Sequence, residues 1–153
     1  MAKLDSGNVV FNRVDTTTNE LVEAALQPLR ILLDIKGQQI NHIGNVAVIC
    51  DKNWITEALT NVIKNASEHS PANSMIQIES GKNPLTCWIS ITDAGQGIPP
   101  LQMKGLFKRF GAAGQGTGIG LPLALAIMRG QNGDVEVDGG GNGRGATFTL
   151  KFY

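Results

Sequence analysis
Two carboxamides four residues apart, one aspartate after an apolar run and two glycine-rich turns carry the chemistry of this 153-residue sequence. Asn61 and Asn65 share one edge of any helix that contains them. An amide oxygen is a hard, neutral ligand that suits Mg²⁺ held together with substrate phosphates. The competing reading is a solvated polar edge. Asp93 follows the strand-like run Cys87–Thr92 and opens Asp93-Ala94-Gly95-Gln96-Gly97-Ile98. Its carboxylate can accept from the exocyclic amine of a base, or from the backbone of its own turn. Gly95 and Gly97 lack a Cβ, so backbone there can approach a ligand closely. The second turn, Gly114-Gln115-Gly116-Thr117-Gly118-Ile119-Gly120-Leu121, opens a helix. Free N–H groups and the helix dipole favour phosphate at such a place. The set describes a site with one end for a base and the other for phosphates.

Between the turns lies Leu106-Phe107-Lys108-Arg109-Phe110. Phe107 and Phe110 read as anchors that pin a mobile lid. Lys108 and Arg109 are either a solvated face or cations reaching toward phosphates. His69 follows Asn65 by one turn, which brings its ring to the border of the base. His42 has no HExxH context or second ligand and reads as packing. A GxxxxGK[ST] phosphate loop is absent, and the Gly116–Gly120 run does not follow the first strand of a βαβ unit, which excludes a dinucleotide fold.

The elements that must position these groups follow from periodicity. Asn8–Arg13 predicts a strand. Asp15–Thr18 offers caps for a helix with apolar positions Leu21, Val22, Ala25, Leu26, Leu29, Leu32 and Leu33, kinked at Pro28 and ended by Gly37. Gln38–His42 and Asn45–Cys50 read as a short pair of strands around Gly44. Asp51 caps a helix whose apolar face runs from Trp54 and Ile55 to Ile63 and Ala66, with Glu57 on the polar stripe upstream of Asn61. Ser70-Pro71-Ala72-Asn73 stops it. Strands at Met75–Glu79 and Leu85–Thr92 come next. After the second glycine turn follow a helix from Leu121 to about Arg129, a turn at Asn132-Gly133, strands at Asp134–Val137 and Ala146–Phe152, and a flexible Gly139–Gly143 turn between them.

Composition narrows the function class. The length fits one domain, and a hydrophobic fraction of 42% fills a core. The formal net charge is zero with no basic patch, which argues against nucleic acid as a partner. No apolar run approaches the ~20 residues of a membrane helix, so this domain is not expected to contact a membrane. Cys50 and Cys87 lack CxxC spacing or neighbouring His and read as reduced core thiols, which fits a reducing cytosol.

Taken in order, Asn61-x-x-x-Asn65-Ala66, Asp93-x-Gly95-x-Gly97-Ile98, Phe107-x-x-Phe110 and Gly116-x-Gly118-x-Gly120-Leu121 resemble the N, G1, F and G2 boxes of the ATP-binding catalytic domain of bacterial sensor histidine kinases. That domain belongs to the GHKL group with gyrase, Hsp90 and MutL. The resemblance covers nearly the whole chain. It implies an α+β, two-layer α/β sandwich of the Bergerat type: a mixed β-sheet with helices on one face and an ATP lid, here about Pro99–Gln115. Residues 1–7 resemble the end of a preceding dimerisation helix, and residues 8–153 the catalytic domain. Carried over by position, Asn65 is the Mg²⁺ ligand and Asn61 assists at the phosphates. Asp93 accepts from the adenine amine, Gly95 and Gly97 close around the base, and Ile98 packs on it. Gly116, Thr117, Gly118, Gly120 and Leu121 form the phosphate turn and helix start. Ala146 stands where a Thr or Ser often helps hold the Asp. Thr147 is the neighbouring hydroxyl, although strand alternation turns it to the other face.

The implied function is ATP–Mg²⁺ binding and transfer of the γ-phosphoryl group to a histidine on a separate dimerisation domain, upstream of a response regulator. The phospho-accepting histidine is expected before residue 1, since His42 precedes Ile43 and His69 precedes Ser70 rather than an acid. The implied setting is the cytoplasmic part of a membrane-anchored sensor. Hydrolytic members of the group place a Glu where Asn61 stands, so phosphotransfer is favoured over hydrolysis. Glu68 occupies a position that is often Lys. With Ala146, it motivates the alternative of a regulatory nucleotide-binding module without kinase activity. A GHKL hydrolase or an anti-sigma-type serine kinase is a lesser alternative.

Overall fold
The computed structural model describes residues 10–103, 105, 120–140 and 145–153. A five-stranded sheet has the order β2-β4-β5-β7-β6, with β2 Gln39–Ile43, β4 Met75–Lys82, β5 Cys87–Thr92, β6 Gly133–Asp138 and β7 Thr147–Phe152. β2 runs parallel to β4 and the other neighbours are antiparallel, so the sheet is mixed. Strand alternation sends Ile76, Ile78, Ile89, Ile91, Phe148 and Leu150 to one face, where all are buried. The other face carries hydroxyl pairs, Ser90 to Thr149 and Thr92 to Thr147, each at 2.9 Å. Among the described residues the helices pack on the apolar face, as expected for the two-layer sandwich.

Those helices are α1 Thr18–Leu26, α2 Arg30–Lys36, α3 Lys52–His69 and α5 Gly120–Gly130, with the single turn α4 Pro100–Met103 beside them. Leu21, Val22 and Ala25 of α1, Ile55, Leu59, Val62 and Ile63 of α3, and Ala124, Ile127 and Met128 of α5 are fully buried. Each recurs at helical spacing. The Thr17 side chain accepts from the Glu20 N–H and caps α1. Pro28 has the predicted effect: a 3-10 turn at Gln27–Leu29 divides α1 from α2. Gly37, with φ of 65°, ends α2 in a left-handed cap. None of the described helices is long and apolar enough to cross a membrane.

Several expectations need correction. Among the described residues the first strand is β1 Val14–Thr17, and residues 10–13 of the expected strand are not in one. The Asn12 N–H is committed to the Asp51 carboxylate at 2.7 Å, and Phe11 packs edge-on against Trp54 with ring centroids 6.3 Å apart. Those contacts hold this stretch away from any ladder. β2 and β3 (Ala47–Cys50) do not pair with each other. β3 joins β1 in a separate two-stranded sheet, and β2 joins β4. β5 begins at Cys87 rather than Leu85, because the Asn83 side chain accepts from the Leu85 and Thr86 N–H groups and curls the chain into a turn. The short helix α4 was not foreseen. Cys50 is buried, but Cys87 is only half-buried. Burial, with Asp51 second, pushes the Cys50 thiol up to about 11, so it is an inert thiol near neutral pH.

His42 on β2 is half-buried, with its Nε2 2.9 Å from Ser80 Oγ. Burial lowers its pKa from the usual 6.5 and outweighs the opposing pull of Glu23. A depressed folded-state pKa means that the unfolded chain takes up the proton first. Stability contributed here is complete above pH 6.5 and is lost as pH falls through the folded value. Urea melts between pH 5 and 7.5 should therefore show stability falling toward acid, and His42→Gln should flatten that slope. An unchanged slope in the variant would count against this assignment.

Candidate nucleotide site
The C-terminal end of β5, the last turns of α3 and the first turn of α5 meet at one edge of the sandwich. Asp93 leaves β5 there and is 6% exposed. Its Oδ1 accepts from the Gly95 N–H at 2.9 Å and from the Ala146 N–H at 3.2 Å. The Asp93 N–H in turn donates to the Ala146 carbonyl at 3.0 Å. One carboxylate oxygen is thus fixed by the backbone, and Oδ2 takes no bond from any described residue. The turn-forming reading of Asp93 holds, since its own side chain accepts from the Gly95 N–H. Ala146 lacks the hydroxyl common at its position, yet its backbone N–H supplies the restraint. Thr147 does not join this group, because its hydroxyl pairs with Thr92 on the opposite sheet face.

The turn is pressed against the end of α3. A Cβ on Gly95 would fall on the His69 carbonyl oxygen, so only glycine fits. The Ala94 N–H donates to Ser70 Oγ at 2.9 Å. The His69 ring is exposed, and it is the His69 backbone that meets the turn. Gly97 has φ of 86°, a left-handed backbone that favours glycine. Beyond it the Ile98 N–H donates to the Gly139 carbonyl at 2.8 Å, and Ile98 packs on the core. A pocket of about 580 Å³ opens here, lined by Gly97, Ile98, Pro100, Met103 and Gly139 among others. It lies beside the turn that Asp93 opens, and Asp93, Asn61 and Asn65 do not line it.

At the other end, Asn61 and Asn65 are half-buried on the edge of α3 that flanks its apolar face, and Glu57 and Glu68 are exposed. Among the described residues neither carboxamide takes a side-chain hydrogen-bond partner. Gly120, the first residue of α5, is the neighbour of Asn61: a Cβ there would lie 3.8 Å from the Asn61 Cβ and Cγ. The start of a helix therefore abuts the carboxamide edge, as an anion held jointly by both would require. Leu121 is half-buried and packs toward the core. Phe107, Arg109, Phe110, Gly116, Thr117 and Gly118 lie outside the described residues. The predicted lid is described only at Pro99–Met103 and Gly105.

Two contributors were missed from the sequence. Ser70 looked like a helix stop and nothing more. Gln38 looked like the first residue of a strand, yet it is buried and caps α3. Its Nε2 donates to the Ser67, Ser70 and Pro71 carbonyls at 3.1, 3.0 and 3.1 Å, while its Oε1 accepts from Ser67 Oγ.

The chain is similar to known proteins in sequence and in fold. Residues 50–153 match the model of the family described as histidine kinase-, DNA gyrase B-, and HSP90-like ATPase. The sensor protein CzcS of Cupriavidus metallidurans is 29% identical over 110 residues, covering 72% of this chain and 23% of that protein. The sensor histidine kinase WalK of Bacillus subtilis is 28% identical over 117 residues, covering 72% and 19%. This chain thus spans about a quarter or less of those two relatives. Among solved structures, the Acinetobacter baumannii histidine kinase AdeS superposes with a TM-score of 0.83 at 25% identity, covering 99% of this chain and 72% of that one. Full-length ShkA in complex with AMPPNP superposes at 0.85 with 20% identity, a likeness of fold.

Proposed function
We propose, from the premise that this chain belongs to the histidine kinase-, DNA gyrase B- and HSP90-like ATPase family, that it binds ATP with Mg²⁺ and, within a longer protein, passes the γ-phosphoryl group to a histidine on a separate dimerisation domain. Its place in the family is that of a sensor-histidine-kinase catalytic domain. One observation supports the reading: a buried carboxylate, whose Oδ1 is fixed by two backbone N–H groups and whose Oδ2 takes no bond from the described residues, shares an edge of the fold with the Asn61–Asn65 stretch of α3, where Asn61 faces Gly120 of α5.

In this reading Asp93 Oδ2 accepts from the adenine amine, and Gly95, Gly97 and Ile98 bound the base. Asn65, assisted by Asn61, holds Mg²⁺, which when bound neutralises phosphate charge. Gly116, Thr117, Gly118, Gly120 and Leu121 form the phosphate turn, with Phe107, Arg109 and Phe110 in the lid and the His69 backbone beside the base. The bond broken is that between the γ-phosphorus and the bridging oxygen, which leaves with ADP. The bond formed is to an imidazole nitrogen of the acceptor. Position and charge neutralisation supply most of the catalysis, and with Asn61 in place of an acid no side chain there activates water. The domain works on the cytoplasmic side, where ATP and a response regulator are found.

The exposed Glu68 favours one second reading, a regulatory nucleotide binder without kinase activity, because a carboxylate near the phosphates weakens their binding. Calorimetric titration of ATP with Mg²⁺ should give saturable binding. Asn65→Ala should lower the affinity for Mg²⁺–ATP about tenfold, the scale of one charge-assisted contact, and should leave metal-free ADP binding nearly unaltered. Phosphohistidine should then appear on a supplied dimerisation domain. Binding without that product selects the regulatory reading, and no binding removes both.

A further inference from the structure
Ser70 stands between the two ends of the site and belongs to neither. It is 5% exposed and follows the last residue of α3. Its hydroxyl donates to the Ala66 carbonyl at 2.8 Å, one residue beyond Asn65 on the helix that bears both carboxamides. The same oxygen accepts from the Ala94 N–H at 2.9 Å, one residue beyond Asp93. A hydroxyl can do both, and an alkyl side chain can do neither. The Ser70 peptide is itself held by the Gln38 carboxamide, which donates to its carbonyl at 3.0 Å. One residue further along the turn, Gly95 lies against the His69 carbonyl. The Asp93 turn thus rests on a hydroxyl and a carbonyl from consecutive residues at the end of α3.

From this geometry we infer that Ser70 is a positioning residue: it sets the Asp93 turn at a fixed distance from the carboxamide edge and thereby sets the preference for adenine over guanine nucleotides. The inference rests on the nucleotide reading above. Adenine presents an amine to Asp93 Oδ2. Guanine presents a carbonyl oxygen at that place, which a carboxylate repels. That distinction is only as sharp as the carboxylate is fixed, because a turn free to withdraw lets water mediate either contact. Asp93 Oδ1 is tied to its own turn and to Ala146 just before β7, whereas the hydrogen bond from the turn to α3, which bears the carboxamides, runs through Ser70.

The test is the ratio of dissociation constants for ATP and GTP, measured on the unmodified chain and on Ser70→Ala, Ser70→Thr and Ser70→Val. Thr and Val are equal in size and differ in the hydroxyl. Ser70→Ala and Ser70→Val should weaken ATP about tenfold, the scale of one hydrogen bond to a positioned group, with GTP little changed, so that the ratio falls by the same factor. Ser70→Thr should retain it. A purely structural role would reduce the folded fraction and leave the ratio intact. An unchanged ratio in both Ala and Val overturns the inference alone, while an unmodified chain that prefers neither nucleotide overturns the nucleotide reading as well. Should the variants fail to fold, amide exchange on the unmodified chain decides. The Ala94 amide should be protected although Ala94 itself is exposed, and free exchange there would sink the proposal.

Discussion

Asp93→Asn should leave the fold standing and remove ATP binding. Gly95 and Ala146 both present N–H groups to Oδ1. In the variant they select the amide rotamer that keeps a carbonyl oxygen at that position. The NH₂ then occupies the place of Oδ2 and points a donor at the donor of adenine. The lost charge-assisted bond and the buried donor clash together amount to about 3 kcal/mol, near a hundredfold in affinity. Thermal stability should stay within about 1 kcal/mol of the parent, because both backbone donors remain satisfied. Asp93→Ala behaves differently. It orphans two N–H groups, one of them in the interior, and each costs about 1–3 kcal/mol, so melting temperature and binding fall together. Calorimetric titration beside thermal melts separates the two variants. Parent-like ATP affinity in Asp93→Asn would show that the base is not read by this carboxylate.

The contrast between those variants marks what a sequence can reveal. Asp51, Gly37 and Pro28 act through their own neighbours in the chain, and their caps and kink were legible. So were the placement of the carboxamide pair on one helix edge, which needs only helical spacing, and the glycine turn after Asp93. The contacts that fuse these parts are long-range. Asp93 meets Ala146 across a strand pair, and Gln38 caps a helix that ends thirty-one residues later at His69. No local pattern distinguishes a buried capping Gln from an exposed one at a strand start. Ala146 shows the same limit. Its side chain lacks a hydroxyl and looked like a loss, but the restraint on Asp93 comes from its backbone, which every residue but proline provides. The misplaced first strand has a related cause: Val9, Val10 and Phe11 suit a strand, while tertiary bonds from Asn12 to Asp51 place the ladder four residues later.

Gly145→Ala should destabilise the domain and abolish the site together. A Cβ at this position falls on the Asp93 carbonyl oxygen and beside Oδ1, in a residue whose N–H and Oδ1 are both bonded to the Ala146 backbone. Neither atom is the end of a flexible side chain, so β7 itself has to move away from the end of β5. Overpacking of this kind costs about 1–3 kcal/mol, and the two Asp93–Ala146 hydrogen bonds add about 1 kcal/mol each if they open. The expected loss is therefore about 3–5 kcal/mol, a large share of a typical domain's stability. Displacement of Asp93 takes ATP binding with it. Gly120→Ala is the matched control, because among the described residues its Cβ meets nothing nearer than 3.8 Å. It should melt at or slightly above the parent temperature, since alanine favours a helix over glycine by up to about 1 kcal/mol. Any loss of affinity in that variant then reports the phosphate end alone. Equal stability of Gly145→Ala and the parent would mean that β7 yields easily at this point, and that Asp93 is not held by the close approach of two backbones.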